Sequence, residues 1–263
     1  MVGDAEMAAA SRRNLAAREP VRFSNLRNMS RSPAHYLHGL RGRKDTASFR
    51  LGRLVDVAIL GGEQPLVWEG SRRGKAWDEF EASHPGREIV TLSEQLASEP
   101  VIEALRAHEH AMYLLTSGVA KKRLYWEWLG RSCTGEPDVA GKYLVDLKTA
   151  RCAEPGRFVR QGTWYAYHAQ MAWYRQGMLS SGLQPPGQVY IVAVETEPPY
   201  PVTVLSLTER AIEQGERLCR LWMERLIGCE AVGHWPAYCE SAVDFDVPEE
   251  LDLSFGDDDE AAA

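Results

Sequence analysis

Apolar residues along the chain repeat with two different periods. Leu51, Leu54, Val55, Ala58 and Ile59 recur three and four residues apart, which predicts an amphipathic helix over residues 49–60 with one buried face. Ala104, Leu105, His108, Met112 and Leu115 form a second helical stripe. That helix is expected to start at Ser98 as N-cap, with Pro100 in its first turn, and to end near Gly118. From 119 to 129 the period changes to two. Leu124, Trp126 and Trp128 alternate with Tyr125 and Glu127, as on a strand facing a core. Further strands are predicted at 131–139, 143–149, 188–194 and 202–207, and a long helix at 164–180. Thr208 caps a helix carrying Ile212, Leu218, Leu221, Trp222 and Leu226. Shorter features are a helix capped by Ser24, one opened by Ser32-Pro33, strands at 65–68 and 87–92, and a helix at 76–82. The succession of strands and helices predicts an α/β fold preceded by an N-terminal helical portion.

The segment GEPDVAGKYLVDLK, residues 135–148, carries the candidate chemistry. Side chains alternate along a strand, so Asp146 and Lys148 project to one side and Leu147 to the other. Gly141 lies between two β-prone runs and supplies a turn that folds Asp138 back beside Asp146. Two carboxylates and an ammonium then share one small space. Hard divalent cations such as Mg²⁺ or Mn²⁺ favour such an oxygen-rich set. A lysine beside the ion can orient or deprotonate an attacking water and offset charge developing on a phosphate.

These residues resemble the PD-(D/E)xK nuclease superfamily, with Pro137-Asp138 as the PD and Asp146-Leu147-Lys148 as the DxK. Gln170 to Tyr174 fits the QxxxY motif of the exonuclease branch that includes RecB-like nuclease domains and lambda exonuclease. The chain is most similar to the exonuclease VIII (RecE-type) nuclease domain of phages and prophages. That similarity rests on Ser32-Pro33-Ala34-His35-Tyr36, Leu51-Gly52, Val145 to Thr149, Tyr167 to Gln170, and more weakly on Trp235-Pro236. The matched points run from about residue 24 to 240, and the resemblance implies a restriction-endonuclease-like α/β core, a mixed sheet of about five strands flanked by helices. The resemblance implies a Mg²⁺-dependent enzyme that degrades linear double-stranded DNA from an end, 5′→3′, leaving 3′ single strands for recombination. It assigns the metal to Asp138, Asp146, the Leu147 backbone carbonyl and Asp56, the last at a helix position often held by histidine. Lys148 would position water, and Gln170 and Tyr174 would hold water or the scissile strand. Arg53, Thr149, Arg151, Gln170 and Tyr174 are the expected DNA contacts. A single-strand annealing protein and a ring of three or four copies are the partners it implies. The chain departs from the pattern before PD, where relatives often carry basic residues and Thr134 and Glu136 stand here. An endonuclease of the same fold, or a non-catalytic DNA- or protein-binding module, are the alternatives.

Composition adjusts this picture. The net charge is −7 over 263 residues, and Asp257 to Glu260 supply four of those negative charges. DNA affinity must therefore come from local basic groups such as Arg41/Arg43/Lys44 and Arg72/Arg73/Lys75. Five cysteines without close spacing suggest reduced intracellular thiols, and no C-x-x-C occurs. Cys219, Cys229 and Cys239 are ten apart, so the iron–sulfur cluster of some QxxxY nucleases is not expected. His108 and His110 lack partners at zinc spacing. No apolar run suits a membrane span, and a cytoplasmic location in a bacterial or phage-infected cell is expected. The expected organisation is a loose arm over 1–20, one nuclease domain over 21–240 and a mobile acidic tail over 241–263.

Overall fold

The computed structural model describes residues 19–42, 45–239 and 241–244. Most of the expected arm and tail, together with Arg43 and Lys44, lies outside these residues. A two-residue strand β1 (Val21–Arg22) leads into α1 (Phe23–Leu26), a 3₁₀ turn (Arg27–Ser30) and α2 (Pro33–Gly39). Next come α3 (Ala47–Leu60), β2 (Leu66–Trp68), α4 (Lys75–Ser83), β3 (Ile89–Thr91), α5 (Leu92–Ala107) and α6 (Glu109–Leu115). A run of strands follows: β4 (Gly118–Ala120), β5 (Leu124–Trp128), β6 (Arg131–Gly135), β7 (Val139–Gly141) and β8 (Tyr143–Ala150). The remaining elements are α7 (Pro155–Trp164), α8 (Tyr167–Ser180), β9 (Gln188–Glu195), β10 (Val202–Ser206) and α9 (Glu209–Val232).

The central sheet has five strands in the order β10-β9-β8-β7-β4. Only β8 and β9 run parallel within it, joined by the crossover through α7 and α8. Alternation along β8 divides the core. Val145 and Leu147 join Val55 of α3, Val101 and Leu105 of α5 and Leu114 of α6. Leu144, on the other face, joins Met171 and Trp173 of α8 and Ile212 and Met223 of α9. Each such side chain stabilises the fold by about 1.5–3 kcal/mol on burial. A second sheet, β1-β6-β5, covers the outer side of α8. There Trp173 meets the rings of Trp126 and Trp128 and its Nε1 donates to the Thr134 carbonyl at 3.1 Å. A two-stranded sheet, β2-β3, completes the set among the described residues.

Local signals explain many of the element boundaries. Ser32 accepts from the His35 amide with Pro33 in the first turn of α2, and Thr208 accepts from the Ala211 amide at the start of α9. The expected helix over 49–60 is present and begins two residues earlier. Five expectations are corrected. The helix expected to start at Ser98 begins at Leu92, because Thr91 and Glu94 form a reciprocal capping box and Pro100 is carried inside. The proline costs about 3 kcal/mol, which burial of Val101 and Leu105 on the same helix offsets. That helix stops at His108, whose Nδ1 accepts from the Ala111 amide and starts α6. The strand expected over 119–129 is two strands in different sheets, turned at Lys121, whose φ of 50° is left-handed. The strand expected over 131–139 is likewise split between β6 and β7. The helix expected over 164–180 is the end of α7 and all of α8, divided at Ala166 with φ 57°. Ser24 does not cap a helix from Asn25; α1 starts at Phe23 without a side-chain cap.

Candidate active site

Register places the candidate residues in one row. The β7–β8 ladder ends at Val139 opposite Val145, and one rung further sets Asp138 against Asp146. The β4–β7 ladder ends at Ala120 opposite Val139, and one rung further sets Lys121 against Asp138. The Lys121 amide donates to the Asp138 carbonyl at 3.0 Å. Lys121, Asp138 and Asp146 thus stand side by side where β7 and β8 part. Asp138 Oδ2 accepts from the Leu147 amide at 2.7 Å, so it takes the place of a strand on that edge of β8. Within a strand the N–H and C=O of one residue point to the same edge. The Leu147 carbonyl therefore faces the same gap as Asp138.

Asp56 reaches this gap from α3. Gly52, one turn earlier, allows close approach of the helix to β8: a β-carbon there would lie 3.3 Å from Thr149 Oγ1. Lys121 Nζ donates to Asp56 Oδ2 and Asp138 Oδ1, each at 2.6 Å. On the other face of the sheet, Lys148 Nζ lies 2.5 Å from Asp146 Oδ2 and 4.9 Å from the centre of the Tyr167 ring. The Lys148–Asp146 contact is a buried ion pair. Gln170 Nε2 donates to the Tyr174 hydroxyl at 2.9 Å.

The electrostatics follow from burial. Desolvation pushes the Asp146 carboxyl up to about 6; the Lys148 ammonium opposes the rise, and the Asp138 and Asp56 carboxylates add to it. Asp56 is raised for the same first reason, with Asp138 second and Lys121 opposing. Burial works against the charge on Lys148, but Asp146 and Asp138 outweigh it and hold its proton above the usual lysine range. Lys121 behaves alike, with Asp138 and Asp56 overcoming desolvation. Tyr174 is raised by burial and by the Asp146 charge.

The match to known families now bears on this geometry. The family described as a PDDEXK-like domain of unknown function (DUF3799) matches residues 22–245. The chain belongs to the PD-(D/E)xK nuclease superfamily. Its fold is similar to that of a candidate exonuclease from Eubacterium rectale, at 16% identity over 90% of this chain and 94% of that one, with a TM-score of 0.61. A phage-related exonuclease from Haemophilus somnus covers 81% of this chain and 96% of its own at 15% identity, with a TM-score of 0.34, too distant to build on. No curated protein sequence matches the chain.

Of the residues expected at a PD-(D/E)xK site, Asp138, Asp146, Lys148, the Leu147 backbone and Tyr174 with Gln170 are brought together. Asp56 joins them through Lys121. Thr149 lies on β8 under Gly52, and Arg151 is exposed on the bend after β8. Arg53 is held by Asp45 at 2.9 Å and Glu88 at 2.5 Å. Thr134 and Glu136, the departures before PD, have their own partners: Thr134 Oγ1 donates to the Leu124 carbonyl and Glu136 pairs with Arg123. Lys121 and Tyr167 are the contributors that the motif reading left out or left without a role. Three consecutive cations, Lys121-Lys122-Arg123, interrupt the apolar alternation and were the available signal.

Among the described residues, no three His, Cys, Asp or Glu side chains converge on a single point. The donor set still fits a hard divalent ion. Asp146 has lone pairs beyond its contact with Lys148, Asp138 has lone pairs beyond its two bonds, and the Leu147 carbonyl faces the same gap.

Proposed function

We propose that the chain is a Mg²⁺-dependent deoxyribonuclease acting on linear double-stranded DNA from an end, 5′→3′, to leave 3′ single strands. The observation that carries the reading is the row Asp138–Asp146 with Lys148 against it, in a chain matched over 22–245 by a PDDEXK-like family. Asp138, Asp146 and the Leu147 carbonyl would hold the ion. When bound, a divalent ion supplies Lewis acidity toward a phosphate oxygen and an activated water.

The chain's own groups do the rest. Lys148 keeps its proton in this setting, so it acts as a donor that orients water and meets charge on the phosphate, not as the resting base. Tyr174, fixed by Gln170 and buried beside Asp146, supports the donor side of the pocket. Arg151 lies just past β8, and α7 exposes Arg157, Arg160 and Trp164 along one face, spaced three and four apart. Those residues suit phosphate contact and base stacking along a strand leaving the site. The resemblance to exonuclease VIII extends the reading to a phage-type recombination role, an annealing protein as partner and a ring of three or four copies.

The test is a time course with Mg²⁺ on linear and covalently closed duplexes of one sequence. Linear DNA should be consumed from its ends, closed circles should survive, and EDTA should stop the reaction. Nicking of closed circles at a comparable rate would replace the exonuclease reading with the endonuclease one.

A further inference from the structure

Lys121 is held in the site more firmly than a surface lysine. Its amide donates to the Asp138 carbonyl at 3.0 Å, and its ammonium donates at 2.6 Å to both Asp138 Oδ1 and Asp56 Oδ2. Its backbone sits at φ 50°, a left-handed conformation that is costly for a residue with a β-carbon. The turn from β4 to β5 thus directs this side chain at the two carboxylates. Bridging two carboxylates is what a second ion does in a two-metal centre, where two ions lie about 3.5–4 Å apart.

We propose that the Lys121 ammonium is the resident second cation of this site. It occupies the position between Asp56 and Asp138, leaves one divalent ion to Asp138, Asp146 and the Leu147 carbonyl, and makes Asp56 a partner of lysine instead of metal. The proposal rests on the nuclease reading above and specifies its metal count. Charge favours the same answer. With its carboxylates ionised, the cluster of Asp56, Asp138 and Asp146 against Lys121 and Lys148 carries −3 + 2 = −1. One divalent ion brings it to +1, whereas two would bring it to +3 with Lys121 in place. Removing the ammonium frees Asp56 Oδ2 and Asp138 Oδ1 together, and so creates the missing second site.

The experiment counts Mn²⁺ bound to the metal-free full chain, by calorimetry with paramagnetic resonance of free Mn²⁺ as a cross-check. Wild type should bind one ion per chain, Lys121→Met two, and Lys121→Arg, which keeps a cation, one. Adding Asp56→Asn to Lys121→Met should return the count to one. Asp56→Asn alone should keep a count of one with affinity within about threefold of wild type, under about 1 kcal/mol. This last arm holds even if Lys121→Met fails to fold. Two ions on the wild type, a single ion on a folded Lys121→Met, or a tenfold loss in Asp56→Asn would each overturn the proposal and leave the nuclease reading standing. No Mn²⁺ binding to wild type, with no Mg²⁺-dependent cleavage, would overturn both.

Discussion

Asp146 governs how the site responds to pH. Burial first, then the neighbouring carboxylates, raises its carboxyl to about 6 against the opposing Lys148 charge, whereas an unfolded aspartate titrates near about 3.9. The folded state therefore binds this proton more tightly than the unfolded chain does. The group's contribution to the stability of the metal-free fold is fully present below about pH 4 and is lost as pH rises through about 6. Asp146→Asn removes this dependence. The melting temperature of metal-free Asp146→Asn relative to wild type should therefore rise by several degrees between pH 4.5 and 7.5. A difference that stays constant across that range would contradict the burial argument. The same proton competes with metal, so Mg²⁺ affinity should fall by up to about tenfold per pH unit below 6. Lys148 shows the opposite balance, since paired carboxylates keep it charged despite burial. On the proposed reading it donates, and a neutral side chain there should impair catalysis without removing the ion.

At the scale of elements, α8 links the site to the core layer it shares with α9 and the second sheet. It carries Gln170 and Tyr174, buries Trp173 against β6, and packs on α9 at Gly215. A β-carbon at Gly215 would meet the His168 carbonyl oxygen at 2.5 Å and Ala169 Cα at 2.8 Å. Alanine would favour the helix by about 1 kcal/mol, but prying α8 from α9 disturbs a packed core and costs about 1–3 kcal/mol or more. The backbone contact should win, so Gly215→Ala should lower the urea midpoint and reduce activity together. An equal or higher midpoint would show that the two helices have room to part. The exposed stripe on α7 makes a separate claim. Arg157→Ala with Arg160→Ala should weaken DNA binding and reduce the slope of log affinity against log salt by about 1–2, as expected for two lost phosphate contacts. Unchanged salt dependence would place the strand elsewhere.

Over the whole molecule, the hairpin and two of the helix caps were legible in the sequence, whereas the place of Lys121 depended on distant pairing. Asp146 and Lys148 share a face because strands alternate, and Asp138 meets them because a short hairpin joins β7 to β8. Ser32 and Thr208 announced their helices through capping chemistry alone. Lys121 was hidden because its place depends on β4 pairing with β7 across a left-handed turn at a lysine, where no glycine or proline marks the break. The helix α7 was hidden because it buries only Phe158 and Gly162, too few apolar positions to set a period. Pro100 suggested a helix start, but the capping box at Thr91 and Glu94 had set one earlier. The molecule carries −7 overall, so its reading as a DNA enzyme depends on these few placed groups and not on bulk charge. The most direct measurement compares wild type, Asp146→Ala and Lys148→Ala on one end-labelled linear duplex, with Mg²⁺ binding followed by calorimetry on the same samples. Asp146→Ala should lose both binding and cleavage. Lys148→Ala should keep Mg²⁺ and cut about 100-fold more slowly, a loss of about 2.7 kcal/mol of transition-state stabilisation. Undiminished cleavage by Lys148→Ala would contradict the assignment of this site.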